Sequence, residues 1–183
     1  MVVTSLALLD LEHLRPDARE HALEDDEARI RRIRADRFVP YARAVEGLRL
    51  LEDLLAYPER TCMPSLLIHG TPVWARRCLR PSSGETIRPA STRRAARRSL
   101  TRWREDDELR SLLATIATVL PLRRPSALHG SAIVKLLLAH SGGVTRDLFR
   151  IIVHAAEAAV RSGAERIDAG LIEASARNER RAR

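Results

Sequence analysis

The chain has 183 residues, of which 45% are hydrophobic, and this is enough to bury a core in one ordinary domain or two small ones. Aromatic residues make up only 3%, so leucine, isoleucine, valine and alanine must form that core. The net charge is +8 with a single lysine, Lys135; this arginine-rich balance favours a nucleic acid or another polyanion as partner, and it equally reflects a GC-rich genome.

Cysteine and histidine are too scattered to indicate a metal site or a nucleophile. Cys62 and Cys78 form no CxxC pair, no His/Cys cluster has zinc-ligand spacing, and no histidine accompanies a nucleophile in a recognisable motif. We therefore expect reduced thiols, no metal and no catalytic residue. The first residues lack a basic leader and no apolar run approaches the length of a membrane span, which predicts a cytoplasmic protein without a membrane partner.

Residues 1–37 are predicted to be a charged helical arm. The stretch DAREHALEDDEARIRRIRADR reads as one mixed-charge helix, with acids first and arginines later, which is the order that the helix dipole favours. Such a segment is typical of a solvated face or of an arm laid on a neighbour.

Residues 38–70 are predicted to contain one helix and one strand. A helix that ends before Pro58 is indicated by apolar residues at helical spacing, namely Val45, Leu48, Leu51, Leu54 and Leu55. After Pro64, the apolar run of residues 65–69 predicts a short buried strand that leads to Gly70. In many nucleotide-binding proteins a phosphate-binding loop begins at such a glycine.

Residues 71–102 are predicted to be a basic linker of low order. From Thr71 to Arg104 the sequence has ten arginines against one acid, Glu85, with neither an apolar stripe nor alternation. The highest density of positive charge in this stretch is at Arg93, Arg94, Arg97 and Arg98. If this patch were helical, it would bind phosphates weakly and without sequence specificity, so DNA is a predicted partner.

Residues 103–176 are predicted to form a bundle of about four helices joined by short loops, and residues 177–183 a frayed tail. Trp103 is expected to be a packing residue at the start of the bundle. The acids of residues 105–108 suit a helix N-terminus, and Ser131 and Asp168 are predicted N-caps of later helices. The fold class is therefore mostly α.

Three blocks of the sequence, in this order, resemble the TniB family of transposition-associated AAA+ ATPases. They are RIRRIRADRFVPYARAVEGLRLLEDLLAYPERTCMPSLLIHG, RWREDDELRSLLATIATVLPLRRPS and LLLAHSGGVTRDLFRIIVHAAEAAVRSGAERIDAGLIEAS. The blocks are similar to the family's leading segment with its first core strand, to the start of its helical lid, and to the lid itself. The resemblance implies a regulator that uses ATP and Mg²⁺ to bind target DNA and activates a DDE transposase.

The resemblance also implies a phosphate loop of the form GxxxxGK[ST], and this chain lacks one. Gly70 is the only residue that matches, and neither a hydrophobic strand ending in Asp-Glu nor a sensor strand follows it. We therefore expect the remnant of an α/β ATPase: N-terminal helices, one core strand, a disordered linker and a lid-like bundle of four helices. No ATP hydrolysis is expected, and no tight binding of ATP or another cofactor.

The genetic code indicates how the loop was lost. In the frame that starts at the third base of codon 72, Trp74 and Ala75 force the triplet GGC, a glycine, and their neighbours permit Gly-Met-Gly-Lys-Thr-Met. One lost base between codons 70 and 72 would put this sequence at the correct spacing from Gly70. A frameshift followed by an internal deletion is one interpretation of residues 71–101, and a basic linker selected for binding is the other.

Two residues carry a nucleotide-binding role that only the resemblance implies. Arg146, in Gly143-Val144-Thr145-Arg146, resembles the sensor-2 arginine of the lid, which reaches an ATP phosphate; Tyr41 lies, with Phe38, where the family's leading segment packs near the adenine. The alternatives are an exposed helix residue for Arg146 and simple packing under the neighbouring helix for both rings.

Three functions remain open. The first is a truncated TniB-like transposition regulator without ATPase activity, whose partners are DNA, a transposase or an intact homologous ATPase. The second is a small basic helical DNA-binding module. The third is a non-functional pseudogene product.

Overall fold

The computed structural model describes residues 10–35, 38–58, 65–70 and 95–181. Seven helices lie in these ranges: α1 (Pro16–Ala22), α2 (Asp26–Arg34), α3 (Ala42–Leu55), α4 (Asp107–Val119), α5 (Ser131–Ser141), α6 (Thr145–Arg161) and α7 (Ala169–Arg181). The two described strands are β1 (Ser65–Gly70) and β2 (Ala95–Leu100). The prediction of a mostly α fold is confirmed. None of the described helices is both long and apolar enough to cross a membrane.

Aspartates cap three of the helices. Asp25, Asp106 and Asp168 each accept a hydrogen bond from the backbone N–H three residues further on, at 2.8, 2.8 and 2.9 Å. The predicted cap at Asp168 is therefore confirmed. The predicted cap at Ser131 is wrong, because Gly130 occupies the N-cap position and Ser131 is the first residue of α5.

Over residues 10–35 the arm contains two short helices, α1 and α2, where its charge pattern predicts a single one. The backbone N–H groups of Leu23 and Glu24 close the last turn of α1, and Asp25 then starts α2 afresh. This break lets α2 turn Ile30 and Ile33 into the interior, where both are buried. The arm is therefore not a solvated face: it lies on the helical bundle of its own chain.

One hydrophobic core joins α2 to α4, α5, α6 and α7. The longest helix, α6, lies at its centre and contacts α2, α5 and α7. One side of α6 is buried in this core and includes Leu148, Ile151, Ile152, Ala155, Ala159 and Val160. Each fully buried leucine or isoleucine contributes about 1.5–3 kcal/mol relative to an exposed one. This core is therefore the main source of stability in the described fold.

The two strands pair in parallel, with Ser65 opposite Ala95 and Gly70 opposite Leu100. Helix α3 contacts β1. Residues 95–100 belong to the stretch that the sequence analysis assigned to a linker of low order, so the structure differs from the expectation there. The sequence AARRSL carries no strand pattern of its own. Its extended conformation is decided by pairing with β1, which is distant in sequence, and local propensity does not predict such pairing. Residues 71–94 of that stretch lie outside the described residues.

The turn between α5 and α6 depends on two glycines. Gly142 and Gly143 have φ angles of 58° and 72°, in the left-handed region that side chains disfavour. The carbonyl oxygen of Gly143 accepts a hydrogen bond from the backbone N–H of Trp103 at 2.8 Å. A Cβ atom on Gly143 would collide with the Trp103 carbonyl oxygen. The turn therefore holds the chain that leads into α4 against the start of α6.

The substitution Gly143→Ala is expected to lower the free energy of unfolding by about 3 kcal/mol, because it combines a strained φ with overlap against the backbone. Gly163→Ala is the matched control: Gly163 has a φ of 70°, and nothing lies within 4 Å of its added Cβ. Gly163→Ala should lower the free energy of unfolding only through backbone strain, by about 1 kcal/mol. Urea unfolding of both variants measures the difference, and equal losses would contradict the close approach at Trp103.

Candidate functional site

Trp103, at the start of the bundle, is buried among residues from two other parts of the chain. Its Nε1 donates a hydrogen bond to Thr145 Oγ1 at 3.0 Å. The Tyr41 ring meets its ring edge-on with centroids 5.3 Å apart, and the Arg43 guanidinium carbon lies 4.6 Å from its centroid. We call Tyr41, Arg43, Trp103 and Thr145 the junction, because they connect α3 to α6. The predicted packing role of Trp103, which is 4% exposed, is confirmed.

The junction lies at the carboxyl ends of the two parallel strands. Arg43 Nη1 donates to Thr101 Oγ1 at 3.0 Å, and Thr101 directly follows β2. Gly70 is the last residue of β1 and pairs with Leu100 at the same end of the sheet. Ligands of open α/β sheets bind outside the carboxyl ends of the strands. The structure thus brings Gly70 and the residues around Tyr41 to one end of the sheet.

Arg146 lies next to the junction, because it follows Thr145 in the first turn of α6. Its side chain is 42% exposed, and its Nε is 3.4 Å from Asp147 Oδ1. Of the residues that the resemblance associates with a nucleotide, Tyr41 belongs to the junction and Arg146 directly follows a junction residue. A shared nucleotide site that includes Gly70 stays a prediction.

Carboxylates neutralise the cation at the junction. Arg43 Nε donates to Glu108 Oε2 at 2.8 Å, and Arg43 Nη2 lies 2.7 Å from the same oxygen. Asp106 Oδ2 is 3.8 Å from Nη2. An anionic ligand at this place would have to displace or face these two acids. The arrangement is that of a neutralised contact between α3 and the bundle.

Phe38, three residues before Tyr41, has different surroundings. The residue is 43% exposed and borders a cavity of about 400 Å³ that is also lined by Arg15, Arg32 and Val119. The alternative that both rings simply pack under the neighbouring helix is therefore wrong for Phe38. Among the residues that the structure describes, Tyr41 has a ring partner in Trp103.

The predicted DNA patch is described only in part. Arg93 and Arg94 lie outside the described residues, and Arg97 and Arg98 lie in β2. The helical arrangement considered for the patch therefore does not apply to the latter two. In the part of the chain that the structure describes, no three His, Cys, Asp or Glu side chains are grouped as metal ligands.

A second cluster, which the sequence analysis missed, joins the arm to the bundle. The Arg29 side chain in α2 is fully buried, and its guanidinium makes five hydrogen bonds to oxygens of Glu165, Pro121 and Asp26. Because a guanidinium has five N–H donors, these five hydrogen bonds give every donor of Arg29 an acceptor. Arg123 also donates its backbone N–H to Glu165, at 3.2 Å.

Arg34, the last residue of α2, forms the other half of this cluster. Its Nε and Nη2 donate to the two carboxylate oxygens of Glu157 at 2.8 and 2.6 Å. These hydrogen bonds lower the pKa of Glu157 and raise the pKa of Arg34, and both shifts prevail over the opposing effect of burial. Burial raises the pKa of Glu165, but hydrogen bonds from Arg29 and Arg123 outweigh it and the net pKa is lowered. We call Arg29, Arg34, Glu157 and Glu165 the clasp.

The sequence does carry a signal for the clasp. In RIRRIR, Ile30 and Ile33 are three residues apart and thus share one helix face, and an arginine stands directly beside each of them. This pattern indicates a helix that buries its apolar side and places cations along the edges. Nothing local identifies Glu157 and Glu165 as their partners, because they lie more than 120 residues further along the chain.

A family model described as "Bacterial TniB protein" matches residues 29–75. The matched range contains both arginines of the clasp, the junction residues Tyr41 and Arg43, and all of β1. This match supports membership of the TniB family. No match to the chain was found among curated proteins or among solved structures. The likeness of residues 102–176 to the family's lid stays a prediction.

The substitution Glu157→Gln is expected to lower the free energy of unfolding at pH 7 by about 1 kcal/mol, since it removes a charged hydrogen-bond partner of a half-exposed arginine. Because the pKa of Glu157 is lowered in the folded state, this stabilisation is complete above the ordinary glutamate value of about 4.3. It is lost as the pH falls through the lower folded value. Urea unfolding at several pH values should therefore show the wild type and variant converging below about pH 4.

The control for this measurement is Glu173→Gln, at an exposed position on α7. It makes the same chemical change without touching the clasp, so its stability should follow that of the wild type at every pH. A constant difference between wild type and Glu157→Gln from neutral to acid pH would contradict the ion pair with Arg34.

Proposed function

We propose, on the premise that residues 29–75 make this chain a TniB-family protein, that it is a transposition-related AAA+-like protein that does not hydrolyse ATP. In this proposal the arm and the helical bundle retain a binding role towards a transposase or an intact homologous ATPase. ATP and Mg²⁺ are ligands of the intact family and are not bound tightly here.

One observation carries the proposal. The strand β1 ends at Gly70, where a phosphate loop would begin, and the next residues are Thr71-Pro72-Val73-Trp74-Ala75-Arg76. They lack the Gly-Lys-Ser/Thr that completes a phosphate loop, in which the backbone and the lysine surround the phosphates and the hydroxyl holds Mg²⁺. The only lysine of the chain is Lys135, an exposed residue of α5. No lysine therefore stands in the segment directly after the strand, where a phosphate loop has one.

The electrostatics of the junction support the same conclusion. Arg43, which points at the carboxyl end of the sheet through its hydrogen bond to Thr101, is already paired with Glu108 and lies near Asp106. A triphosphate placed there would meet two carboxylates before it met an unpaired cation, and like charges at such distances repel.

The origin that we propose is a frameshift just after Gly70 and an internal deletion of the catalytic middle. The family match ends at residue 75, close to the point where the phosphate loop is replaced. The hidden reading frame, with its forced glycine, accounts for the composition of the following segment. A basic linker selected for binding remains the competing explanation.

The full chain incubated with Mg-ATP is expected to release phosphate no faster than a protein-free blank. Millimolar Mg-ATP should also leave the Tm unchanged relative to Mg²⁺ alone, because a ligand that does not bind the folded state cannot stabilise it. The variant Arg146→Ala should behave identically. Turnover above the blank that is lost in Arg146→Ala would overturn the proposal.

The coding DNA gives an independent check on the origin. Read in all three frames across codons 70–103, it should encode Gly-Lys-Thr one base out of frame beside Gly70. A nucleotide sequence without that triplet series would favour the selected linker instead, without affecting the ATP measurement.

A second candidate function, a small basic DNA-binding module, is favoured by the distribution of charge. The stretch from Thr71 to Arg104 holds ten arginines and one acid, so it accounts for the entire net charge of +8 of the chain. Binding through such a segment would be non-specific and strongly dependent on salt, since it works by releasing counterions from the phosphates.

Replacing Arg93, Arg94, Arg97 and Arg98 together by glutamine is expected to abolish most binding to random duplex DNA at low salt. The slope of log K against log salt should become shallower by up to about 3.6, which corresponds to four lost phosphate contacts. The control replaces four exposed arginines of the helical bundle, Arg124, Arg161, Arg166 and Arg177, and should change binding much less. Equal effects of the two sets would exclude a specific role of the basic segment.

A further inference from the structure

A cavity of about 400 Å³ lies between the arm, the segment before α3 and the end of α4. Arg15 is the N-cap residue of α1, Arg32 lies in α2, and Val119 is the last residue of α4. Phe38 lines the cavity from the segment that leads into α3. Pockets that hold small molecules have volumes of about 300–1,000 Å³. The cavity is therefore large enough for a small organic ligand.

The walls of the cavity are attached to the rest of the fold. The backbone N–H of Arg15 donates to the carbonyl oxygen of Thr118 in α4 at 3.0 Å, which holds the start of α1 against the bundle. Val39, another lining residue, packs against the main hydrophobic core, and Ile33, next to Arg32, is buried in it. Because these contacts fix the walls, a ligand need not order the protein when it binds.

The lining combines cations with apolar surface. The arm contributes the guanidinium groups of Arg15 and Arg32 and one carboxylate, that of Asp17, while Phe38 and Pro40 contribute apolar surface. Phe38 is 43% exposed, so a ligand can still cover part of it. Guanidinium groups bind anionic oxygens through charge-assisted hydrogen bonds, and a phenyl ring packs against another ring. This combination fits a ligand that carries an anionic group beside an aromatic ring.

The charge of the lining favours one class of anion. Its described charged residues are two arginines and one aspartate, which together carry +1. Arg15 Nε lies 3.5 Å from Asp17 Oδ1, and both side chains are about half exposed. A carboxylate balances this charge. A phosphate monoester carries about −1.5 to −2 at neutral pH, so it would exceed the charge of the lining and would be repelled by Asp17.

We propose that this cavity is a binding site for a small aromatic monocarboxylate. Arg32 and Arg15 bind the carboxylate, and Phe38 contacts the ring. None of the described lining residues belongs to the junction or to the clasp. The inference therefore does not rest on the proposed lack of ATPase activity, and the expected ligand is not a nucleotide.

The test measures the binding of 2-naphthoate to the full chain by equilibrium dialysis at pH 7. 2-Naphthalenemethanol has the same rings without the charge and should bind about tenfold more weakly or less, because it loses the charge-assisted hydrogen bonds. 2-Naphthyl phosphate should also bind more weakly than 2-naphthoate. Equal binding of the carboxylate and the alcohol, or tighter binding of the phosphate, would overturn the proposal.

Substitutions identify the cavity as the place of binding. Arg32→Gln should weaken the binding of 2-naphthoate by about tenfold or more. Arg31→Gln makes the same change at an exposed position of the same helix and should have little effect. Phe38→Ala should weaken binding by about three- to tenfold, whereas Leu55→Ala, which truncates an exposed apolar side chain of α3, should not. Equal effects within either pair would reject the site.

Two further variants examine the role of charge. Asp17→Asn should strengthen the binding of 2-naphthyl phosphate more than that of 2-naphthoate, because it removes the carboxylate that repels the larger charge. The variant with four glutamines in the basic segment should bind 2-naphthoate as the wild type does. Loss of binding in that variant would show that the anion binds to the basic segment, and would reject the cavity.

Circular dichroism of each variant is measured first. If Arg32→Gln unfolds the chain, Arg15→Gln takes its place, since the Arg15 side chain is half exposed. The same loss of 2-naphthoate binding is expected, and unchanged binding would contradict the proposal.

Discussion

The arrangement of this protein depends on one buried guanidinium. Arg29 has no exposed surface, and its five hydrogen bonds to Glu165, Pro121 and Asp26 leave no donor unsatisfied. Breaking a buried pair by removing one partner generally costs about 3–5 kcal/mol, whereas the intact pair contributes less. Such a contact specifies a position more than it adds stability. It fixes α2, and with it the arm, on one side of the bundle.

Glu165 shows that this position is imposed by the surroundings. It is the one described residue other than glycine with a positive φ, 58°, a conformation that is disfavoured for side chains. Its backbone N–H donates to Ala159 and its carbonyl accepts from Arg124, while its carboxylate receives Arg29. The loop after α6 is therefore held by hydrogen bonds on three sides. A strained residue that is fixed in this way is expected where two parts of a fold must meet.

The sequence was informative where structure is decided locally. Helical periodicity and aspartate caps predicted the bundle, because those signals act within a few residues, and Asp168 and Trp103 behave as expected. It was uninformative where structure is decided at a distance. The strand at residues 95–100 exists through its pairing with β1, and the burial of Arg29 depends on a glutamate 136 residues away. Near the candidate nucleotide residues, the sequence did not predict Arg43 or its pairing with Glu108, because these two residues are 65 positions apart.

The junction can persist without a nucleotide because packing alone accounts for it. Trp103 is fixed by Thr145, by the Gly143 carbonyl and by Tyr41, and each of these contacts stabilises the start of the bundle whether or not a ligand is present. Loss of a phosphate loop would remove the reason for Arg146 to face a ligand, but it would not remove the reason for Tyr41 to face Trp103. The geometry of the junction therefore reflects folding and carries no information about nucleotide chemistry. That chemistry depends on the residues after Gly70, where the second glycine, the lysine and the Ser/Thr of a phosphate loop are missing from the sequence.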